Sequence, residues 1–115
     1  MPTVFVIATD WTLRAGVRAE LRELSIDALG MDSPGDASRA IAANENPDAI
    51  VLEATADLAG NPAIQNLIKR VPTILIASRT ETLPLPPGAI VLYRPVTIRE
   101  IVDQVRAILA RSHAA

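Results

Sequence analysis

The feature that most constrains this chain is a regular alternation of short apolar runs with longer segments of helical periodicity. Between the runs, apolar residues recur every three or four positions, as they do on the buried face of a helix. This alternation predicts right-handed strand–helix–strand crossovers and a parallel sheet that is covered by helices on both faces. The runs that we interpret as strands are residues 3–8, 25–31, 49–53, 71–78 and 89–93.

Five such strands predict an α/β fold, a three-layer, doubly wound parallel sheet of strand order 2-1-3-4-5. The 115 residues correspond to a single domain, 1–115, and we expect no output domain in this chain. Composition agrees with the sheet, because half of the residues are hydrophobic while only 3% are aromatic. A core of aliphatic side chains is typical of parallel strands that are buried on both faces.

The predicted helices carry recognisable start signals and faces. Ser33-Pro34 and Asn61-Pro62 each place an N-cap residue before a proline at the first helical position. Thr97 and Glu100 have the spacing of a capping box. The helix that begins at Trp11 has an apolar stripe, and its arginine stripe is interpreted as a solvated face, with an acidic partner as the alternative. The two stripes consist of Leu13, Val17, Leu21 and Leu24, and of Arg14, Arg18 and Arg22.

The connection between the fourth and fifth strands differs from the others. Residues 79–88 read RTETLPLPPG, and their three prolines remove backbone donors and fix φ. No regular helix fits the second half of this segment. We therefore expect a Pro-rich loop in place of the fourth helix of a doubly wound sheet.

An acidic residue ends the third predicted strand at the edge where such sheets bind ligands. Glu53 follows the apolar run that begins at Ala49, and Thr9 and Asp10 follow the first strand. In open parallel sheets, ligands bind beyond the carboxyl ends of the strands, at the point where the strand order reverses. Glu53 is thus either part of a site or a solvated acid at a strand end.

Four stretches of the chain resemble the receiver domains of two-component response regulators, which share the flavodoxin-like strand order. They are VIATDWTLR, NPDAIVLEA, VPTILIAS and YRP, and together they extend the resemblance over nearly the whole chain. Receivers read approximately V-D-D-x-x-x-x-R, P-D-x-x-x-x-D, P-x-I-x-x-[TS]-A and K-P. The framework residues that match are Arg14, Pro47, Asp48, Pro72 and Pro95.

The resemblance implies different residues at the positions that carry phosphoryl transfer in receivers. The two acids that hold Mg²⁺ fall on Ala8 and Thr9, and a slip of one residue would bring Asp10 to the second of them. The phosphate-accepting aspartate falls on Glu53, and the lysine falls on Arg94. These replacements are expected to change the charge of the site, the length of its side chains and the geometry of in-line attack together.

Two further family positions also differ. The hydroxyl that contacts the phosphoryl group falls on Ala77, with Ser78 adjacent but on the opposite face of the strand. The aromatic residue that moves inward on activation falls on Val91. Tyr93 lies two residues later in the same strand, so its side chain should face the same side of the sheet.

These losses together lead us to interpret the chain as an atypical receiver, or pseudoreceiver, that is not an enzyme and needs no cofactor or metal. We expect Glu53 and Arg94 to form a bidentate pair that holds the domain in one state without a phosphate. One alternative is a functional phospho-acceptor that uses Asp10, Glu53 and a divalent metal. Another is a small-molecule sensor that uses the vacant crevice.

The expected partner is a protein or a second copy of this chain, as a possible homodimer. The Pro-rich loop should leave apolar surface on strands four and five and on the last helix, and such patches mark interfaces. The interface candidates are Leu83, Leu85, Val91, Tyr93 and Ile98. The net charge of −2 gives no reason to expect nucleic acid or a membrane, and the lack of Cys excludes disulfides and thiolate chemistry. We expect a cytoplasmic protein.

Overall fold

The computed structural model of the protein describes residues 1–54, 62–78 and 88–113. Its centre is a five-stranded sheet of order β2-β1-β3-β4-β5, in which every neighbouring pair is parallel. The predicted doubly wound α/β architecture and its strand order are confirmed. The strands are β1 (Thr3–Ile7), β2 (Asp27–Met31), β3 (Ala49–Glu53), β4 (Thr73–Ala77) and β5 (Ile90–Tyr93).

In the described ranges, four helices connect or follow the strands, and the starts of two of them agree with the predicted Ser33 and Thr97 signals. The Ser33 hydroxyl accepts from the backbone N–H of Asp36, and Pro34 stands at the first helical turn. The Thr97 hydroxyl accepts from the Glu100 N–H, and the Glu100 carboxylate accepts in return from the Thr97 N–H and hydroxyl. The helices are α1 (Trp11–Glu23), α2 (Pro34–Ala42), α3 (Pro62–Arg70) and α4 (Ile98–His113).

Alternate residues of each strand face opposite sides of the sheet, so the core forms two layers. Val4 and Val6 of β1 pack with α1 and α4 on one side. Phe5 and Ile7 of the same strand pack with α2 and α3 on the other. Because β1, β3 and β4 are parallel, their carboxyl ends lie at the same edge of the sheet.

A few boundaries differ from the sequence predictions. The second strand begins at Asp27, two positions later than predicted, because Ser25 takes a left-handed φ of 62° in the turn after α1. Leu24 does not belong to the buried stripe of α1, since it follows the last helical residue and its side chain is 43% exposed. The Pro-rich segment and Asn61 lie outside the described residues, so the absence of a fourth helix there stays a prediction.

The helices of the described ranges share one further property. None of them combines the length and the apolar character that a membrane-spanning helix requires.

Candidate functional site

The candidate site lies at the carboxyl edge of the sheet, where the ends of β1, β3 and β5 meet. Glu53 is the last residue of β3, and Thr9 and Asp10 stand between β1 and α1. Arg94 directly follows β5, and its backbone N–H donates to the Ala77 carbonyl at 2.8 Å. The next peptide bond, Arg94–Pro95, is cis. Sequence-distant residues are thus brought together because the strands are parallel and in register.

One carboxylate oxygen of Glu53 is held entirely by the segment that follows β1. Glu53 Oε1 accepts from the Thr9 hydroxyl at 2.7 Å and from the Thr9 backbone N–H at 2.9 Å. The Asp10 N–H approaches the same oxygen at 3.4 Å. Thr9 and Asp10, where the resemblance could place a metal-binding acid, therefore supply hydrogen-bond donors, and these donors stabilise the charged carboxylate.

The second carboxylate oxygen of Glu53 binds the arginine. Arg94 Nη2 lies 2.7 Å from Glu53 Oε2, and this is an ion pair in which the glutamate side chain is only 12% exposed and the arginine 41%. The contact uses a single nitrogen and is not the bidentate pair that we expected. The physical reason is that Oε1 is already occupied by Thr9, so only one oxygen is available to the guanidinium.

Asp10 has a structural role in this arrangement. Its Oδ1 accepts from the backbone N–H groups of Thr12 and Leu13, which makes Asp10 the N-cap of α1. Within residues 1–54, 62–78 and 88–113 there is no group of three or more His, Asp or Glu side chains that could hold a metal ion.

An arginine that the sequence assigned to a solvated stripe instead supports the site. Arg14 Nη1 donates to the Ala8 carbonyl at 2.7 Å and pairs with Asp32 Oδ1, also at 2.7 Å. Farther along α1, Arg18 and Arg22 both donate to the Ala28 carbonyl of the edge strand β2. The stripe therefore contacts the chain's own backbone. Asp32 was missed in the sequence, although its place just after the second strand puts it at the same sheet edge.

The remaining family positions lie in β4, directly after it, or in β5. Ala77 is buried at the end of β4, and Ser78 follows it half-buried. Val91 is half-buried against the α2–α3 side of the core, whereas the Tyr93 side chain is 40% exposed.

The interface candidates lie in different parts of the chain. Ile98 is half-buried at the start of α4, with its Cδ1 over Gly16 of α1. Val91 and Tyr93 lie on the edge strand β5. Leu83 and Leu85 fall outside the described residues.

The cavity beside the site is small. It measures about 80 Å³ and is lined by residues at the ends of β1, β2 and β3, among them Thr9, Asp32 and Glu53. Pockets for drug-sized ligands and cofactors usually measure roughly 300–1,000 Å³. The space that the described residues enclose is therefore smaller than the pockets that usually hold a nucleotide or flavin.

Comparisons with known proteins relate the chain to solved structures. No protein-family model and no curated protein matches the sequence. A two-component response regulator from Clostridium difficile is 19% identical with a TM-score of 0.81, and the match covers 99% of this chain and 100% of that one. The Francisella response regulator 1452 receiver domain is 23% identical with a TM-score of 0.78, over 97% and 99% of the two chains.

A response regulator receiver protein from Burkholderia phymatum is also similar. It has 23% identity and a TM-score of 0.77, and the match covers 96% of both chains. All three structures are matched over nearly their full length, so the likeness of the fold is not confined to one part of the chain. The chain has the fold of response regulator receiver domains.

Proposed function

We propose that this domain is a receiver-like signalling module that acts through protein contacts and does not depend on phosphoryl transfer. The observation that carries the proposal is that both carboxylate oxygens of Glu53 have partners on neighbouring segments. Both oxygens of its carboxylate are already bound, one by Thr9 and one by Arg94. An acceptor of a phosphoryl group needs an oxygen that is free to attack in line.

The metal chemistry of phosphoryl transfer also lacks its ligands here. Mg²⁺ is usually held by one or two carboxylates, and it neutralises the charge of the transferring group. Ala8 and Thr9 have no carboxylate, and one oxygen of Asp10 caps α1. Glu53 is paired with the Arg94 guanidinium, whose positive charge would repel a cation at the same carboxylate. The residues present therefore do not suit a resident Mg²⁺, and no step of the proposed function uses one.

The pair of Glu53 and Arg94 would act in place of a phosphate-dependent contact. In receivers, the corresponding lysine contacts the aspartate or its phosphorylated form, and the resemblance carries that position to Arg94. Here the Glu53 carboxylate reaches from β3 to the segment after β5 and also back to the segment after β1. We infer that this contact holds the carboxyl edge in a single state.

Incubation with a small phosphoryl donor and Mg²⁺, followed by intact mass measurement, tests the proposal. We expect no mass increase of one phosphoryl group, while a phosphorylatable receiver domain treated in parallel gains it. An adduct that maps to Glu53 would contradict the proposal and support the alternative phospho-acceptor. Repeating the incubation with Glu53→Gln identifies an adduct formed at any other side chain.

We further propose that the partner is a protein and that the domain acts in the cytoplasm. The expectation that strand four leaves apolar surface uncovered is wrong, because all five residues of β4 are buried. The predicted contact surface is therefore reduced to β5 and α4, with Tyr93 as its most exposed aromatic residue in the described part of the chain. Tyr93→Ala should weaken partner binding if that face is used, and Thr12→Ala, an exposed change on α1, serves as the control.

A further inference from the structure

An open groove separates α1 from α4 on the side of the molecule away from α2 and α3. Its volume is about 310 Å³. The apolar part is formed by Leu24, which is 43% exposed, and by buried Val102. The remaining lining residues are charged and exposed: Glu20, Glu23, Arg99, Asp103 and Arg106.

The charges of the groove are separated between its two walls. The α1 wall carries Glu20 and Glu23, whereas the α4 wall carries Arg99 and Arg106 with Asp103 between them. Among the described residues, none of these five side chains has an ion-pair or hydrogen-bond partner. The α1 wall is thus acidic and the α4 wall is net basic, and both are available to a partner.

The heights of the two walls can be matched along the helices. Ile98 Cδ1 occupies the space over Gly16 that a Cβ would take, so these two residues lie side by side. Both helices run opposite to the parallel strands and therefore point the same way. Each residue advances an α-helix by about 1.5 Å along its axis. Counted from this contact, Glu23 of α1 lies at the same height along the helices as Val105 and Arg106 of α4.

We propose that this groove is the contact surface between two copies of the chain, related by a two-fold axis that runs along the groove. Such an axis places α1 of one copy over α4 of the other, so that Glu23 faces the partner's Arg106 in both halves of the interface. A two-fold axis that lies in the plane of the interface but perpendicular to the helices would place the two acidic α1 walls on each other and the two basic α4 walls on each other. The charges therefore select one arrangement.

The separation of charge also argues for a second copy over other partners. A polyanion would be repelled by Glu20 and Glu23, and a basic peptide would be repelled by Arg99 and Arg106. A surface with one acidic and one basic wall is complementary to itself, and Leu24 supplies apolar area that each copy can bury against the other. The proposal concerns α1 and α4 and does not depend on the state of Glu53.

Exchange of charges between two variants tests the arrangement. Glu23→Arg alone sets arginine against arginine at both contacts, and Arg106→Glu alone sets glutamate against glutamate. We expect the unaltered chain to dimerise in sedimentation equilibrium, more strongly at low salt, and each variant to be monomeric. An equimolar mixture of the two variants should form a heterodimer, because each contact then joins an arginine to a glutamate.

The mixture distinguishes contacts between copies from contacts across one groove. If Glu23 and Arg106 paired only within one molecule, each variant would still lack that pair in the mixture. The mixture would then stay monomeric, and the proposal would be overturned. An unaltered chain that is monomeric at low salt, or single variants that still dimerise, would overturn it as well. Glu45→Arg, an exposed change outside the groove, should leave the dimer intact. If either variant fails to fold by circular dichroism, the pair Glu23→Lys and Arg106→Asp repeats the test with other side chains of the same charges.

Discussion

Thr9 holds Glu53 from the end of the neighbouring strand, with its hydroxyl and its backbone N–H both bound to the same carboxylate oxygen, at 2.7 and 2.9 Å. The resemblance places a metal-binding acid of receivers at the Thr9 position. A side chain that would repel Glu53 is thus replaced by one that donates to it. At this edge of the sheet, the residue after β1 therefore stabilises the Glu53 carboxylate.

Removal of the Thr9 hydroxyl tests how much this contact contributes. Thr9→Val keeps the branched shape but leaves Oε1 with backbone donors only, and we expect the free energy of unfolding to fall by about 1 kcal/mol. Thr9→Ser retains the hydroxyl and should lose less. Urea denaturation measures both variants, and a Thr9→Val variant as stable as the unaltered chain would show that the hydroxyl contributes nothing.

The ion pair between Glu53 and Arg94 should show measurable coupling. A double-mutant cycle with Glu53→Gln and Arg94→Met is expected to give an interaction of about 1 kcal/mol, since the glutamate is largely buried while the arginine is partly exposed. The coupling should decrease in high salt because the guanidinium is accessible to ions.

A second ion pair provides the matched control for this cycle. Arg39 and Asp36 pair within α2, where the arginine side chain is 73% exposed. The same cycle at that pair should give less than about 0.5 kcal/mol. Coupling at Glu53 and Arg94 that is no larger would contradict a special role for the pair.

Restoring the acid that receivers carry should not by itself restore phosphoryl transfer. Glu53→Asp shortens the side chain by one methylene, but Ala8 and Thr9 still provide no carboxylate for Mg²⁺. We expect no adduct in Glu53→Asp and an adduct only when Ala8→Asp and Thr9→Asp are added. Intact mass measurement with a small phosphoryl donor gives the answer, and an adduct on the single variant would mean that the missing metal acids are not limiting.

The contact between α1 and α4 predicts a non-additive pair of substitutions. Alanine in the interior of a helix is favoured over glycine by about 0.5–1 kcal/mol, but a Cβ at Gly16 would meet Ile98 Cδ1. Gly16→Ala alone should therefore be nearly neutral. In an Ile98→Val background, which lacks Cδ1, the same change should stabilise the chain in urea denaturation, and equal effects in both backgrounds would contradict the contact.

Local patterns were sufficient to predict the architecture of the chain. The strand order follows from the alternation of apolar runs and helical stripes, because covering a parallel sheet on both faces permits few connections. The third strand has the predicted bounds, Ala49–Glu53, and the capping box of Thr97 and Glu100 forms as its spacing indicates. Both features depend on residues that are close in sequence, so one short stretch of the chain contains all of the information needed to predict each of them.

The contacts of the site could not be predicted in the same way. The sequence marked Glu53, Thr9 and Arg94 as candidates, but the choice of oxygen, the single-nitrogen ion pair and the role of Asp10 as a helix cap depend on distances between strand ends. The arginines of α1 looked solvated because nothing in their spacing indicates that the Ala8 and Ala28 carbonyls lie within reach. Periodicity determines which face of an element is buried, whereas the partner of a polar side chain is decided only when separate elements are packed together.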